Sequence, residues 1–345
     1  MISSKPKVTV LMSVFNGEKY LNEAVDSILA QTFKDFEFLI IDDASTDRTP
    51  EILRSYGDPR IRIITNEENL GLTKSLNKGL ALTRGEYIAR MDADDISHPK
   101  RLERQVNYLD ENPEIGILGT NVQYIDESGK PYKILRWPEK DALIKWSLCF
   151  FNPIAHPTVM VRLDLIKKIA GYDESIVYAQ DYDLWVRLSS ESVFGNLQYI
   201  LLYLRKSDDN ISHKNYLEQK NYSHQISGRA MSNILNREVP QKIVDSILDN
   251  EIKTNHNMQE IRYLLMELYR NSSKKNLLLS SKEQFTIRKD IAFRIIGIKS
   301  SQTVYIQTLI NILFACYIYP FIPAQILASK FASKIPAKNL FQLEK

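Results

Sequence analysis

The sequence predicts an α/β protein, with a mostly parallel, doubly wound sheet followed by a C-terminal helical extension. Three observations carry this expectation. Apolar, β-branched runs alternate four times with helix-patterned segments between Val8 and Asp95, and the connections are short. Several of these runs empty into polar or acidic residues, as strands do where open α/β sheets collect ligands at their carboxyl ends. From about Ser207 the composition turns to Asn, Lys and scattered Ile and Leu at the spacing of short amphipathic helices.

Taken in order, Val8 to Phe15 is a buried strand ending at Asn16-Gly17, after which Tyr20, Leu21, Ala24, Val25, Ile28 and Leu29 recur at helical spacing. Phe36 to Ile41 is a second strand that runs into Asp42-Asp43-Ala44-Ser45-Thr46-Asp47. Thr49 is the expected N-cap, and Pro50 the first-turn proline, of a helix over Glu51 to Tyr56. Ile61 to Thr65 is a third strand, and Asn69-Leu70-Gly71-Leu72 leads into a helix through Leu76, Leu80 and Leu82. Gly85 stops that helix before Glu86 to Met91, a strand that empties into Asp92-Ala93-Asp94-Asp95. Carboxylates so close repel one another, and a bound divalent cation relieves the repulsion. Oxygen ligands and substrate phosphates favour Mg2+ or Mn2+. The alternative is an acidic turn capping the helix that His98-Pro99 opens.

The regular alternation ends there. Arg101 to Leu109 reads as a helix, Ile115 to Tyr124 as a strand and Asp141 to Cys149 as a helix. The two prolines of Asn152-Pro153-Ile154-Ala155-His156-Pro157 exclude regular helix. Thr158 to Val161 is extended again, Leu163 to Ala170 is a helix ended by Gly171, Tyr178 to Trp185 is an acidic and aromatic helix start, and Leu197 to Leu204 is a strand.

A chain of 345 residues suits two domains, or one large domain with an extension. Hydrophobic residues at 44% and charged residues at 25% exclude wholesale disorder, and a net charge of +3 is too small to argue for nucleic acid. Cys149 and Cys316 are the only cysteines, so there is no disulfide framework and no zinc spacing, and cytosolic exposure is the simplest inference. The apolar run within Met1 to Tyr20 is broken by Ser13 and Asn16 and lacks a cleavage site, which makes it a first strand and not a signal peptide. Ser300 to Ser329 contains no charged residue, is divided by Pro320 and Pro323, and is followed by Lys330 and Lys334. The part before Pro320 is shorter than the ~20 residues of a straight span, so an interfacial hairpin in peripheral membrane contact is expected, with a helix buried on the extension as the alternative. The expected organisation is a domain over 1–206, a helical extension over 207–299 and an apolar segment over 300–345.

In combination these motifs resemble those of the family-2 glycosyltransferases, inverting, nucleotide-sugar-dependent enzymes of the GT-A fold. The resemblance covers roughly residues 7 to 205. It rests on Val10-Leu11-Met12-Ser13-Val14-Phe15-Asn16, Ile40-Ile41-Asp42-Asp43-Ala44-Ser45-Thr46-Asp47, Asn69-Leu70-Gly71, Arg90-Met91-Asp92-Ala93-Asp94-Asp95 and Gln180-Asp181-Tyr182-Asp183-Leu184-Trp185, in that order. It implies that Ser13 and Phe15 touch the nucleotide, that Asp43 hydrogen-bonds the base or ribose, and that Asp92 and Ala93 lie against the donor. It further implies that Asp94 and Asp92 hold Mn2+ or Mg2+ and that Asp181 is the general base, with Asp183 in reserve. The residues alone also allow Asp43 to be a turn aspartate bonding its own backbone, and Asp181 to be a helix N-cap.

Two positions depart from the family pattern. Leu76 stands where many relatives carry Arg, which leaves Lys74 as the candidate cation for the donor diphosphate or else an exposed helix lysine. Gln180 stands where the family has Glu. Gln180, His156 and Trp185 are the candidates for acceptor or phosphate contacts, against a loop histidine satisfied by backbone and an aromatic packed in the core. The function implied is transfer of a sugar from a nucleoside diphosphate sugar, a UDP-sugar, to a hydroxyl of a growing, lipid-linked cell-surface glycan such as O-antigen, capsule or exopolysaccharide. The implied location is cytoplasmic, at the inner face of the cell membrane. A sugar nucleotidyltransferase would want a Gly-rich basic loop where Asn16-Gly17-Glu18-Lys19 stands. A non-catalytic glycan-binding scaffold would have no reason to keep carboxylates at three strand ends.

Overall fold

The structure, a computed structural model, describes residues 5–207, 216–252, 258–274, 279–300 and 314–319. Its organising strand is β1 (Val8–Val14), which pairs in parallel with β2 (Phe36–Asp42) on one side and β4 (Tyr87–Met91) on the other. β3 (Ile61–Thr65) adds in parallel to β2. Helices α1 (Leu21–Leu29), α2 (Thr49–Ser55), α3 (Leu72–Leu82) and α4 (Arg101–Glu111) accompany these strands. On one face of the sheet Leu21, Val25 and Ile28 of α1 and Leu102, Val106 and Leu109 of α4 share a core with Val8, Val10 and Met12. On the other, Gly79 of α3 approaches Leu11 and Ile41 closely. Both faces of β1 are therefore covered, which is why its sequence is a near-continuous apolar run and not an alternating one.

The parallel half matches the expected doubly wound sheet, but the second half is mixed. Beyond β4 the order continues β8 (Met160–Arg162), β6 (Ile115–Ile125), β9 (Val193–Arg205) and β5 (Ile96–Ser97), with β7 (Pro131–Leu135) pairing to β6. β8 is antiparallel to both β4 and β6, and β5 to β9, while β6 and β9 run parallel. For the β6–β7 pair, which is also antiparallel, the reason is local. Gly129, at φ 82°, turns β6 straight back into β7, and a hairpin can join only antiparallel strands. Helices α5 (Asp141–Ser147), α6 (Leu163–Lys168) and α7 (Gln180–Leu188) complete this region.

Gly85 is required by the approach of the chain to β1. A Cβ built there lies 2.4 Å from Thr9 N and 2.7 Å from Val8 C, both backbone atoms that cannot turn away. Gly85→Ala is therefore expected to push β4 off β1 and destabilise the protein by about 2–4 kcal/mol. Thermal melting checks this, and an unchanged Tm would mean that the strand shifts without cost.

The chain divides into two compact units, one comprising Met1–Ile144 and Asn152–Gln219, the other Lys145–Phe151 and Lys220–Lys345. The expected division at 206/207 differs from this, because Trp146 and Phe150 have their partners late in the chain. Within the second unit Trp146 Nε1 donates to Asp290 Oδ2 at 2.7 Å, and the Arg294 guanidinium lies 3.6 Å from the Phe150 ring centre. Burial pushes the Cys149 thiol up to about 12, so it is an inert core residue. The second unit also holds α8 (Tyr216–Leu235), α9 (Gln241–Leu248), α10 (Met258–Lys274) and α11 (Ser281–Gly297), together with the short parallel pair β10 (Glu251–Ile252) and β11 (Lys299–Ser300). Of the apolar segment over 300–345, only residue 300 and residues 314–319 are described, and the remainder lies outside the described residues. Ala315 and Tyr319 are buried against Ala292 and Ile296 of α11. Among the described residues no helix is long and apolar enough to cross a membrane.

Candidate active site

β4 is buried along its whole length and delivers the chain into the Asp92–Asp95 loop. Asp92, Asp94 and Asp95 each present an oxygen, and these atoms lie within 4.8 Å of one another. The loop does not cap a helix, since β5 intervenes and the N-cap position of α4 is Lys100. Arg90, itself buried, ion-pairs with Asp92. Burial, and after it the charge of Asp92, raise the Asp94 carboxyl to about 6. Burial and the charges of Asp94 and Asp92 hold Asp95 well above the usual carboxylate range. Asp95 Oδ1 accepts the Arg205 N–H at 2.8 Å, whereas the buried Oδ2 has no hydrogen-bond partner among the described residues. Clustered carboxylates, one with an orphaned buried oxygen, form a hard all-oxygen donor set, so these residues fit Mg2+ or Mn2+.

The ends of β1 and β2 are laced together next to this loop. Asn16, in the left-handed region at φ 51°, accepts the Thr46 N–H on Oδ1 at 2.8 Å and donates its own N–H to Ser45 Oγ at 3.0 Å. Thr49 is the first residue of α2 and not its cap. Its N–H donates to Asp47 Oδ1 at 2.9 Å, and its hydroxyl accepts from Gly17 N at 2.9 Å. Ser13 is half-buried at the strand end, and Phe15 just beyond is 48% exposed, leaving its ring available for stacking. Ala93 is half-buried in the aspartate loop.

Asp43 follows the end of β2. It is buried, with Oδ1 accepting from Asn66 Nδ2 at 2.6 Å and Leu70 N at 2.9 Å, and Oδ2 accepting from Gly71 N at 2.9 Å. It thus holds the Asn69-Leu70-Gly71 loop, while Asp42 Oδ1 accepts the Ser45 N–H at 3.1 Å in a tight turn. Lys74 is exposed on α3. The cation tied into this network is Lys78, one turn later, which donates to Asn66 Oδ1 at 2.7 Å.

The approach to α7 is strained in a way that fixes Asp181. Ala179 adopts the left-handed region at φ 60°, a conformation that costs a non-glycine residue on the order of 1 kcal/mol. It takes the N-cap position without a side-chain cap bond, so Asp181 lies inside the first turn and is not the N-cap. Asp181 Oδ2 accepts from Asn152 Nδ2 at 2.7 Å, and burial raises the carboxyl above its ordinary value. Asp183 is committed elsewhere, its Oδ2 accepting from Arg187 Nε at 2.8 Å, while Arg187 also binds the carbonyls of Ile169 and Gly171. The Arg90 charge is felt by Asp181 as well as by Asp92, Asp94 and Asp95, while its ion pair is with Asp92.

His156 and Trp185 are core residues. His156 Nε2 shares a 2.7 Å hydrogen bond with Tyr172 Oη, the two rings meet edge to face, and burial pushes the imidazole well below its usual range. Trp185 is 1% exposed and packs edge-on to His156. Neither is placed for acceptor contact, because helix phase and the Pro157 turn direct both inward. Gln180 is half-buried at the start of α7.

The sequence model of Glycosyl transferase family 2 matches residues 9–177. An uncharacterized glycosyltransferase of Methanocaldococcus jannaschii is 40% identical over 227 residues, which span 64% of this chain and 78% of that protein. The chain belongs to glycosyltransferase family 2. The O-antigen biosynthesis glycosyltransferase WbnJ of Escherichia coli is 37% identical to this glycosyltransferase over 204 residues, 57% of the chain and 79% of WbnJ. The crystal structure of S. aureus TarS 1-349 in complex with UDP-GlcNAc superposes with a TM-score of 0.57 at 18% identity, covering 90% of this chain and 91% of that fragment. At that identity the likeness is one of fold, and the GT-A architecture implied by the sequence motifs is the one observed.

Proposed function

We propose that this glycosyltransferase moves a sugar, with inversion, from a nucleoside diphosphate sugar to a hydroxyl of a growing, lipid-linked cell-surface glycan. The observation that carries the reading is Asp181, a raised carboxylate held by Asn152 that feels the same Arg90 charge as the aspartate loop. Inversion by direct displacement needs a group that accepts the acceptor hydroxyl's proton as its oxygen attacks the anomeric carbon opposite the departing diphosphate. Asp181 Oδ1, left free of the Asn152 bond, is the proposed acceptor of that proton. The base of the nucleotide stacks on Phe15 beside Ser13, with Asp43 holding the 69–71 loop against it, and Lys78 in place of Lys74 supplies positive charge to that crevice. Asp94 and Asp92 are the proposed ligands of Mn2+ or Mg2+, which when bound stabilises the charge of the leaving diphosphate. Asp92 and Ala93 line the donor side of that loop.

A UDP-sugar donor is favoured by the UDP-GlcNAc bound to TarS, and a cell-surface glycan acceptor by the printed role of WbnJ in O-antigen biosynthesis. The same chemistry would serve capsule or exopolysaccharide assembly at the inner face of the cell membrane, with the apolar segment over 300–345 as the proposed peripheral contact. The test is incubation of the protein with a panel of nucleotide sugars and Mn2+, following nucleoside diphosphate release. Slow hydrolysis of one donor is expected. Formation of a nucleoside triphosphate and a sugar 1-phosphate when inorganic pyrophosphate is added would reassign the site to nucleotidyl transfer, and no turnover of any donor would leave a scaffold.

A further inference from the structure

Arg205 closes β9 and is 1% exposed, yet its guanidinium is not used for packing alone. Nε donates to the Asp94 carbonyl at 2.9 Å, Nη1 to the carbonyls of Asp126 at 3.2 Å and Glu127 at 3.0 Å, and Nη2 to Glu23 Oε2 at 2.8 Å. Its backbone N–H donates to Asp95 Oδ1, and the guanidinium carbon stacks 4.3 Å from the Tyr20 ring centre. One planar fork thereby ties the aspartate loop to the first turn of α1 and to the β6–β7 turn. Metal loops need such support, because a cation site tolerates only small departures from ligand geometry and free carboxylates in a cluster splay apart.

We propose that Arg205 is a positioning residue for the divalent cation, holding the Asp92–Asp95 loop in its binding geometry before the cation arrives. This rests on the cation site of the proposed function. Two features of the contacts argue for it. The side chain of Arg205 binds the carbonyl of Asp94, so the path of the loop depends on it, and its backbone amide, which the test variant keeps, holds the Asp95 carboxylate beside that contact. The fork geometry also matters, since a lysine ammonium keeps the charge but cannot reach two loops and a helix at once.

The experiment uses the full chain and Mn2+ as the probe, with free Mn2+ followed by electron paramagnetic resonance in the presence and absence of UDP. Arg205→Lys is expected to raise the Mn2+ Kd by about 10-fold to 100-fold, the range found when outer-shell partners of metal ligands are lost. UDP binding without metal should be unchanged. A role in stability alone would lower the Tm of the metal-free protein and leave the Kd of the folded fraction where it was, which would overturn the inference. Should Arg205→Lys fail to fold, Glu23→Ala removes one arm of the brace at a residue whose side chain is 53% exposed. A Kd raised by about 3-fold to 10-fold is expected there, and an unchanged Kd would equally overturn the inference. Absence of Mn2+ binding to the wild-type protein would instead overturn the cation site itself.

Discussion

Asp181→Asn is expected to lower turnover by roughly 10² to 10⁴ while leaving donor affinity in place. Asparagine keeps the shape of the side chain and can still accept from Asn152, so the first turn of α7 has no reason to move. What it cannot do is take the acceptor's proton. The pH dependence follows from the same residue. Burial raises the Asp181 carboxyl above the ordinary carboxylate value, and the base works only when ionised. The acid limb of kcat/KM should therefore lie above the usual carboxylate range, with activity rising as pH climbs through the shifted value. Asp183→Asn is the companion measurement. It breaks the pairing to Arg187 inside a buried contact and should lower Tm, with kcat of the folded protein retained. Full turnover in Asp181→Asn together with its loss in Asp183→Asn would transfer the role to Asp183.

Asp94→Ala is expected to weaken Mn2+-dependent UDP binding by more than about 100-fold, beyond the usual loss for outer-shell partners, and to abolish transfer. The fold should survive, and the metal-free variant should be more stable than wild type near pH 7.5. The sign follows from linkage. A carboxyl raised to about 6 in the folded chain binds more protons there than in the unfolded chain, where it titrates near 4. Its contribution is full below the unfolded value and falls as pH rises through about 6, so removing the group removes a liability at neutral pH. Cation binding should strengthen over the same interval, because metal and proton compete for one oxygen. Calorimetry with UDP and Mn2+ and melting of the metal-free protein read the two halves separately. Unchanged metal-dependent UDP binding in the variant would take Asp94 out of the ligand set.

The parts of this protein that were legible in its sequence share a property, which is that contiguous residues carry them. The parallel half of the sheet could be read because each of its strands is an apolar run with a helix-patterned segment beside it. The aspartate loop could be read because Asp92, Asp94 and Asp95 are neighbours in the chain. Lys74 and Lys78 were harder, since both sit on α3 and only the phase of that helix decides which one bonds Asn66. Asn152 and Arg205 are ordinary polar residues far from the motifs they serve, and no local signal marks either. Arg90 stood inside a quoted motif, but its pairing depends on β4 being buried on both faces. His156 and Trp185 show the opposite failure. Their residue types suggest ligand contact, and only the packing around Tyr172 turns them inward.

The short segment Lys145–Phe151 has a consequence for how the chain acquires its structure. Trp146 must wait for Asp290, 144 residues later in the chain. At ordinary rates of synthesis that interval is on the order of 10 s, far longer than collapse of a small domain. During it the ribosome holds a nascent chain whose catalytic portion has been made, while Trp146, Cys149 and Phe150 stand uncovered. The second unit is therefore begun before the first is complete and closed only when the last helices emerge, and until then its earliest-made segment is apolar surface exposed on the nascent chain.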